Sequence, residues 1–172
     1  MRSRGSGVDV GALWRTGAAG RGLRQHGAMT FEDLPKNFIT LPITTPGLAP
    51  DLVDLFFRET DRAADSLLLI PAGEDGIVPR DVGPIVIGGV DWRCPDPERE
   101  RTLRHLAQLG IPKAIVAFGS ERWIAPHVLR RWRDTAATQF TAGGTEVVGV
   151  FVANMSEVVD ISAGPIPVFR AA

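Results

Sequence analysis

The stretch DPERERTLRHLAQLGIPKAIVAF, residues 96–118, decides the fold that this sequence predicts. Asp96 followed by Pro97 is typical of a helix start, with Asp96 as the capping residue. Apolar residues then recur at helical spacing as far as Leu109, which predicts one buried face. Gly110 indicates the end of this helix, because glycine readily takes the left-handed conformation there. The uncharged, β-branched run that follows is typical of a buried central strand.

Two apolar runs upstream of this stretch predict neighbouring strands. Residues 66–70 form a continuous apolar run of strand length, so we expect this strand to be buried on both faces. Residues 83–90 form the next run. The turn-forming residues 72–76 between them predict an antiparallel hairpin with a wide connection. The strand, helix and strand between residues 90 and 118 predict a right-handed crossover.

The remaining segments complete a layered arrangement of helices and strands. Helices are predicted over residues 51–64 and about 125–140, and a strand over 146–153. Residues 38–43 are interrupted by proline and predict an edge strand or an extended lead-in. Residues 158–161 predict one more strand and 165–169 an extended tail. The fold class is therefore α/β, one layered domain with a mixed sheet, in the order helix, strand, strand, helix, strand, helix, strand.

Length and composition favour one folded domain preceded by an unrelated segment. The 172 residues are enough for a single domain with a substantial core. Residues 1–28 contain seven Gly, five Arg and one acid, Asp9, and have weak apolar periodicity. We interpret them as a disordered extension or the product of a start codon assigned upstream of Met29, with a basic arm for an acidic partner as the alternative. Residues 29–172 are then the α/β domain.

Composition also limits the classes of partner and compartment. No apolar run approaches the roughly 18 residues that a membrane-spanning helix needs. The net charge of −1 argues neither for nor against nucleic acid. Basic residues interleaved with aromatic ones are absent, so we expect no nucleic-acid partner. A single cysteine, Cys94, excludes an internal disulfide framework and fits the reducing cytoplasm. The 17 Arg against two Lys indicate either codon bias or recognition of phosphate and carboxylate groups.

The sequence lacks the motifs that usually bind metals or cofactors, so we predict neither kind of site. No two of His26, His105, His127 and Cys94 stand three or four positions apart, as zinc ligands on one helix would. Glycine-rich phosphate-binding motifs are absent. Cys94 precedes a helix start that would stabilise a thiolate, but Glu100 occupies the position where a phosphatase-like loop needs Arg. We expect a free thiol, a partly buried His105, no metal and no cofactor.

The order of elements resembles the JAB/MPN fold and, within it, the RadC-like branch. The similarity covers about 105 residues, from the helix over 51–64 to the strand over 146–153, and is one of pattern. Metalloenzymes of that family carry His-x-His after the third strand, followed by Ser and Asp at the next helix. Phe118-Gly119-Ser120 stands at the first place here, and no Asp follows before Asp134. The resemblance therefore implies a metal-free member.

The best placed candidate site is the connection between the strand over 114–118 and the next helix. Ligands of α/β sheets gather beyond the carboxyl ends of strands, often at a helix start. Ser120, Arg122, Trp123 and His127 would supply a hydroxyl, a fork of donors, a stacking face and an imidazole. The alternative is a plain connection whose Trp123 packs on the rim of the core. Three arginines follow in the helix and predict either a basic strip for binding or an ordinary solvated face: Arg130, Arg131 and Arg133.

The sequence thus favours a non-catalytic binding or protein-interaction module in the cytoplasm. One alternative is a protein that binds a small anionic ligand or a nucleotide through the four candidate residues. Another is a JAB-type hydrolase whose metal ligands are not recognisable. The partner is an unknown protein or a small anionic ligand, and self-association stays open.

Overall fold

The computed structural model describes residue 34 and residues 36–168. The segment 1–28, with its alternative interpretations, and the last residue of the expected 165–169 tail lie outside the described residues. The helices and strands follow in this order: α1 Leu48–Phe56, α2 Glu59–Ala63, β1 Ser66–Ala72, β2 Ile85–Ile87, α3 Asp96–Ala107, β3 Lys113–Gly119, α4 Pro126–Ala142, β4 Glu146–Ala153 and β5 Val158–Asp160.

The five strands form one mixed sheet in the order β2-β1-β3-β4-β5. Strand β1 is antiparallel to both β2 and β3, β3 is parallel to β4, and β4 is antiparallel to β5. The α/β class and the antiparallel hairpin are therefore confirmed. Strands β2 and β3 run in the same direction with β1 between them, so the connection through α3 passes over one strand.

The sheet separates two apolar clusters, because successive side chains of a strand point to opposite faces. On one face, α3 and α4 pack against Leu67, Val116 and Val152. On the other face, α1 and Phe57 pack against Leu68 and neighbouring strand residues. Every residue of β1 is buried, as the continuous apolar run predicts. The protein thus has three layers, with helices on both faces of the sheet.

The single helix predicted over residues 51–64 is wrong, since two helices, α1 and α2, occupy this segment. Phe57 and Arg58 interrupt it, and Arg58 is extended with ψ 153°. Phe57 is fully buried and its ring lies on the backbone of Gly119, where a Cβ would stand 2.3 Å from the ring. Arg62 reaches into the same layer and donates hydrogen bonds to Asp54 and to the carbonyl of Asn154. The break lets both side chains reach the sheet.

Three further expectations differ from the structure. Residues 38–43 contain a 3-10 turn, Phe38–Thr40, in place of an edge strand. Strand β2 has three residues because Gly89, with φ +70°, turns the chain at its end. Helix α3 ends at Ala107, so Leu109 is 52% exposed and does not extend the buried face, although Gly110 has the expected positive φ. Strands β3, β4 and β5 and helix α4 lie where the sequence predicts them.

Candidate binding site at the carboxyl ends of the strands

The predicted site residues follow strand β3 at one edge of the sheet. The carboxyl ends of β3 and β4 lie side by side there, with Gly119 opposite Ala153. The first residue of β1, Ser66, is the other neighbour of Gly119. Strand β2 also ends at this edge, since it runs parallel to β3. Helix α4 begins seven residues after β3, so its positive end lies close to the carboxyl ends of the strands.

Asp65 is the centre of a hydrogen-bond network at this edge. Its carboxylate accepts one hydrogen bond from the Ser120 hydroxyl at 2.5 Å and another from the Trp92 indole at 3.1 Å. Its backbone carbonyl accepts a hydrogen bond from the Val90 amide. Asp65 lies two residues after the end of α2 and has φ +49°, a conformation that Asp tolerates better than most residues. This single residue therefore joins the start of β1 to two loops.

The structure gives the four predicted site residues different surroundings. Ser120 is half-buried and its hydroxyl donates to Asp65. Trp123 is half-buried and packs against the core cluster beneath α4. Arg122 and His127 are exposed, and neither side chain has a hydrogen bond or an ion pair with any residue that the structure describes. The guanidinium of Arg122 and the imidazole of His127 thus face solvent, whereas the Ser120 hydroxyl and the Trp123 indole contact the rest of the fold.

The first turn of α4 contains no acidic residue to balance its positive end. Ala125 is the capping residue, and no side chain caps the helix. The amides of Val128 and Leu129 bond to the Ala125 carbonyl. His127 and Arg130, three positions apart, lie on neighbouring positions of one helix face and are both exposed. No acidic side chain in the first turn therefore offsets the partial positive charge where α4 begins.

The start of α3 has the opposite arrangement. Asp96 is the first helical residue and not the predicted cap, since Pro95 holds that position, and Asp96 pairs with both Arg99 and Arg131. The Arg99 guanidinium is buried, donates to the Thr135 hydroxyl at 3.0 Å and lies 6.0 Å from the centre of the Trp132 ring. Hydrogen bonds from Arg99 and then Arg131 lower the pKa of the Asp96 carboxyl below its ordinary value of 3.8. The positive end of α3 is thus neutralised within the protein.

Cys94, just before α3, is a buried free thiol. Burial raises its pKa above the ordinary value, and the nearby Glu98 raises it further. Arg99 acts in the other direction but does not outweigh these effects. The thiolate that a helix start would stabilise is therefore not favoured here, which corrects that part of the sequence interpretation.

Metal-ligating side chains do not cluster in the described part of the chain, where no three His, Cys, Asp or Glu residues are placed to hold an ion. His105 is exposed on α3 rather than partly buried as predicted, because it follows the buried Leu103 by two positions on the helix. None of the described helices is long and apolar enough to cross a membrane.

Sequence reasoning missed Asp65 and the pairing of Asp96 with Arg131. Asp65 carries a weak signal, since an Asp just after a helix and before a buried strand can take the left-handed position that glycine usually fills. Its partner Ser120 is 55 residues away in the chain, so no local pattern could reveal the contact. The same holds for Arg131, which is 35 residues from Asp96.

No protein-family model matches this chain, and neither a curated protein nor a solved structure is significantly similar to it. The geometry of the described residues is therefore the basis for any functional assignment.

Proposed function

We propose that this domain is a non-catalytic binding module that recognises an acidic segment of a partner protein. The contact surface is the α4 basic site, formed by Arg122, His127 and Arg130. The observation that carries the proposal is that all three side chains are exposed and none has an ionic partner among the described residues. His127 and Arg130 lie in the first two turns of α4, whose first turn has no acidic residue, and Arg122 lies in the loop just before this helix.

The electrostatics of this surface favour a negatively charged partner. The aligned peptide dipoles of α4 place partial positive charge at its start, and the guanidinium groups of Arg122 and Arg130 add to it. Glu121 is the exposed acid nearest in sequence, and it offsets only part of this charge. Arginine binds carboxylates through two parallel hydrogen bonds, so Arg122 and Arg130 can each hold one acidic side chain.

The state of the reactive groups supports binding rather than catalysis. The Ser120 hydroxyl, the nucleophile closest to this surface in sequence, donates to the Asp65 carboxylate. The Cys94 thiol is buried with a raised pKa, so it is a poor nucleophile. Neither group has a histidine among its described hydrogen-bond partners to act as a general base.

The exposure of the basic side chains favours a protein segment over a small ligand. Small ligands usually occupy enclosed sites that bury most of their surface. Arg122, His127 and Arg130 instead project from a loop and from the outer face of a helix. A small anion or nucleotide is the alternative partner, and the titration described below distinguishes it from a protein segment. The metal-free RadC-like relationship, the cytoplasmic location and self-association stay predictions.

The proposal is tested by titrating the full chain with a hexaglutamate peptide at low ionic strength and following backbone amide shifts by NMR. We expect shifts centred on residues 120–131 and weaker binding as salt is added. Arg122→Ala should weaken binding about fivefold, because an exposed ion pair contributes up to about 1 kcal/mol. The matched control is Arg80→Ala, because Arg80 is exposed, has no ionic partner among the described residues and lies in the connection at the opposite edge of the sheet.

Equal weakening by both substitutions, or shifts that do not centre on α4, would contradict the proposal. A parallel titration with inorganic pyrophosphate decides between the two partner classes. If pyrophosphate binds more tightly than hexaglutamate and depends on the same residues, the module recognises a small anion and the protein-segment proposal is wrong.

A further inference from the structure

The α4 basic site comes from two separate segments of the chain. Arg122 lies in the loop between β3 and α4, whereas His127 and Arg130 lie on α4 itself. A partner that contacts all three side chains needs the loop and the helix at fixed relative positions. The contacts that hold the loop against α4 therefore determine how well this surface is preorganised for binding.

The loop that carries Arg122 is attached to the fold at both of its ends. At the first end, the Ser120 amide donates to the last carbonyl of β4 at 3.1 Å, and the Ser120 hydroxyl donates to the Asp65 carboxylate at 2.5 Å. At the other end, Ile124 is buried in the apolar cluster under α4. Between these ends, only Arg122 and the residue before it are exposed. The Arg122 side chain therefore projects from a loop with two anchors.

The Asp65 carboxylate is itself connected to α4 through two tryptophans. The Trp92 indole donates at 3.1 Å to the same carboxylate oxygen as the Ser120 hydroxyl. The Trp92 carbonyl accepts a hydrogen bond at 2.9 Å from the indole of Trp132, a buried residue of α4. The two indoles also pack edge to face, with ring centres 5.1 Å apart. A chain of hydrogen bonds thus joins the loop that carries Arg122 to helix α4.

The backbone of Asp65 is fixed independently of this loop. Its amide donates to the Arg62 carbonyl at 3.2 Å, and its carbonyl accepts a hydrogen bond from the Val90 amide at 2.7 Å. The carboxylate is therefore held in place before the loop reaches it. Hydrogen bonds to an ionised acceptor are stronger than bonds between neutral groups, so the Ser120 hydroxyl forms the strongest polar contact at the start of the loop.

We propose that Ser120 is a positioning residue of the α4 basic site, whose hydroxyl holds the Arg122 loop against α4 through Asp65. This inference rests on the proposed function, because it assigns a role within the same surface. Ser120 does not contact the partner in this arrangement. Its contribution is that the partner binds a loop that is already ordered, so the cost of ordering the loop does not reduce the affinity.

The first test measures the affinity for hexaglutamate by the amide-shift titration of the full chain. Ser120→Ala leaves every charge in place and should weaken binding about threefold, because the loop must then be ordered on binding. Ser120→Thr keeps the hydroxyl and should bind as tightly as the wild type. Ser156→Ala is the matched control, since Ser156 is exposed in the neighbouring loop after β4 and its hydroxyl has no hydrogen bond among the described residues.

A double substitution separates positioning from general damage to the fold. If Ser120 acts through Arg122, adding Ser120→Ala to Arg122→Ala should cause no further loss of hexaglutamate affinity. General damage would weaken the contacts of His127 and Arg130 as well, and the double variant would then bind more weakly than Arg122→Ala. That result would overturn the positioning role.

The second test does not depend on binding. Heteronuclear NOE values of the backbone amides of residues 121–124 report the order of the loop in the free protein. These values should fall in Ser120→Ala and stay at the wild-type level in Ser120→Thr and Ser156→Ala. Unchanged values in Ser120→Ala would overturn the inference.

The two tests distinguish failure of this inference from failure of the proposed function. If Arg122→Ala weakens hexaglutamate binding and Ser120→Ala does not, the positioning role is wrong and the acidic partner stands. If the wild type does not bind hexaglutamate, the proposed function is wrong, and the NOE values alone then decide whether Ser120 holds the loop of Arg122.

Discussion

Helices α3 and α4 pack side by side on the same face of the sheet, yet their starts differ in charge. Helix α3 begins with Asp96, which holds Arg99 and Arg131. Helix α4 begins without an acid in its first turn, and the exposed His127 and Arg130 have no ionic partner in the described part of the chain. Both helices have a proline at their first or second position, so the backbone start is similar.

The difference is that acidic and basic side chains are paired within the fold at the start of α3 and not at the start of α4. At α3 the carboxylate and a buried guanidinium complete a contact between two helices, so the cluster belongs to the fold. At α4 the same positive end is left to solvent, where nothing in the described fold uses it. An exposed and unbalanced positive end is inexpensive in water but attracts anions, which is why we assign binding to α4 and structure to α3.

The largest expected effect follows from removing the buried cation at α3. Arg99→Met should lower the free energy of unfolding by about 2 kcal/mol, because the side chain loses charged hydrogen bonds to Asp96 and Thr135 and its place over Trp132. Urea unfolding measures the change. Arg122→Met at the exposed site should change the free energy of unfolding by less than about 0.5 kcal/mol. Equal losses in both variants would remove the distinction between the two helix starts.

A smaller effect follows from giving α4 the acid that α3 possesses. His127→Glu places a carboxylate in the first turn and should stabilise the protein by about 0.5 kcal/mol through the helix dipole. The same change should weaken hexaglutamate binding through like-charge repulsion. His127→Gln also removes the imidazole but introduces no carboxylate, and it serves as the control. Unchanged peptide affinity in His127→Glu would show that the start of α4 is not the binding surface.

The smallest effect is a pH dependence of the pairing at α3. The pKa of Asp96 is lower in the folded protein than its ordinary value of 3.8. Its stabilising contribution is therefore fully present well above pH 3.8 and declines as the pH falls through the lowered folded pKa. The wild type should exceed Asp96→Asn in stability by a constant amount near neutral pH and by less in acid. Urea unfolding of both proteins at several pH values measures this difference in the free energy of unfolding. A difference that grows as the pH falls would refute the prediction.

Much of the fold follows from local patterns, but the polar network of the site does not. The residues of β4 and α4 were predicted almost to their ends, because continuous apolar runs and helical spacing are properties of the sequence itself. The break at Phe57 was not predicted, since its cause is the bare backbone of Gly119, 62 residues away, on which the ring lies. Local propensity favours one helix there, and packing against the sheet overrides it.

Some residues of the candidate site could likewise be predicted from the sequence, and others could not. Arg122, Trp123 and His127 could be named from their position after a buried strand, and Arg122 and His127 are exposed as a binding role needs. The hydrogen bond from Ser120 to Asp65 could not be predicted from the sequence, because the two residues meet only when β1 and β3 pair. The raised pKa of Cys94 likewise depends on how far α3 and its neighbours bury the thiol.

The sequence by itself therefore determined the α/β class, the buried strands and the place where a binding surface would lie. Those features depend on periodicity and turn chemistry, which act over a few residues. Only the tertiary structure decided which polar groups are free. Asp65, Asp96 and Arg133 each bond to residues of distant elements, whereas the side chains of Arg122, His127 and Arg130 have no such partner among the described residues.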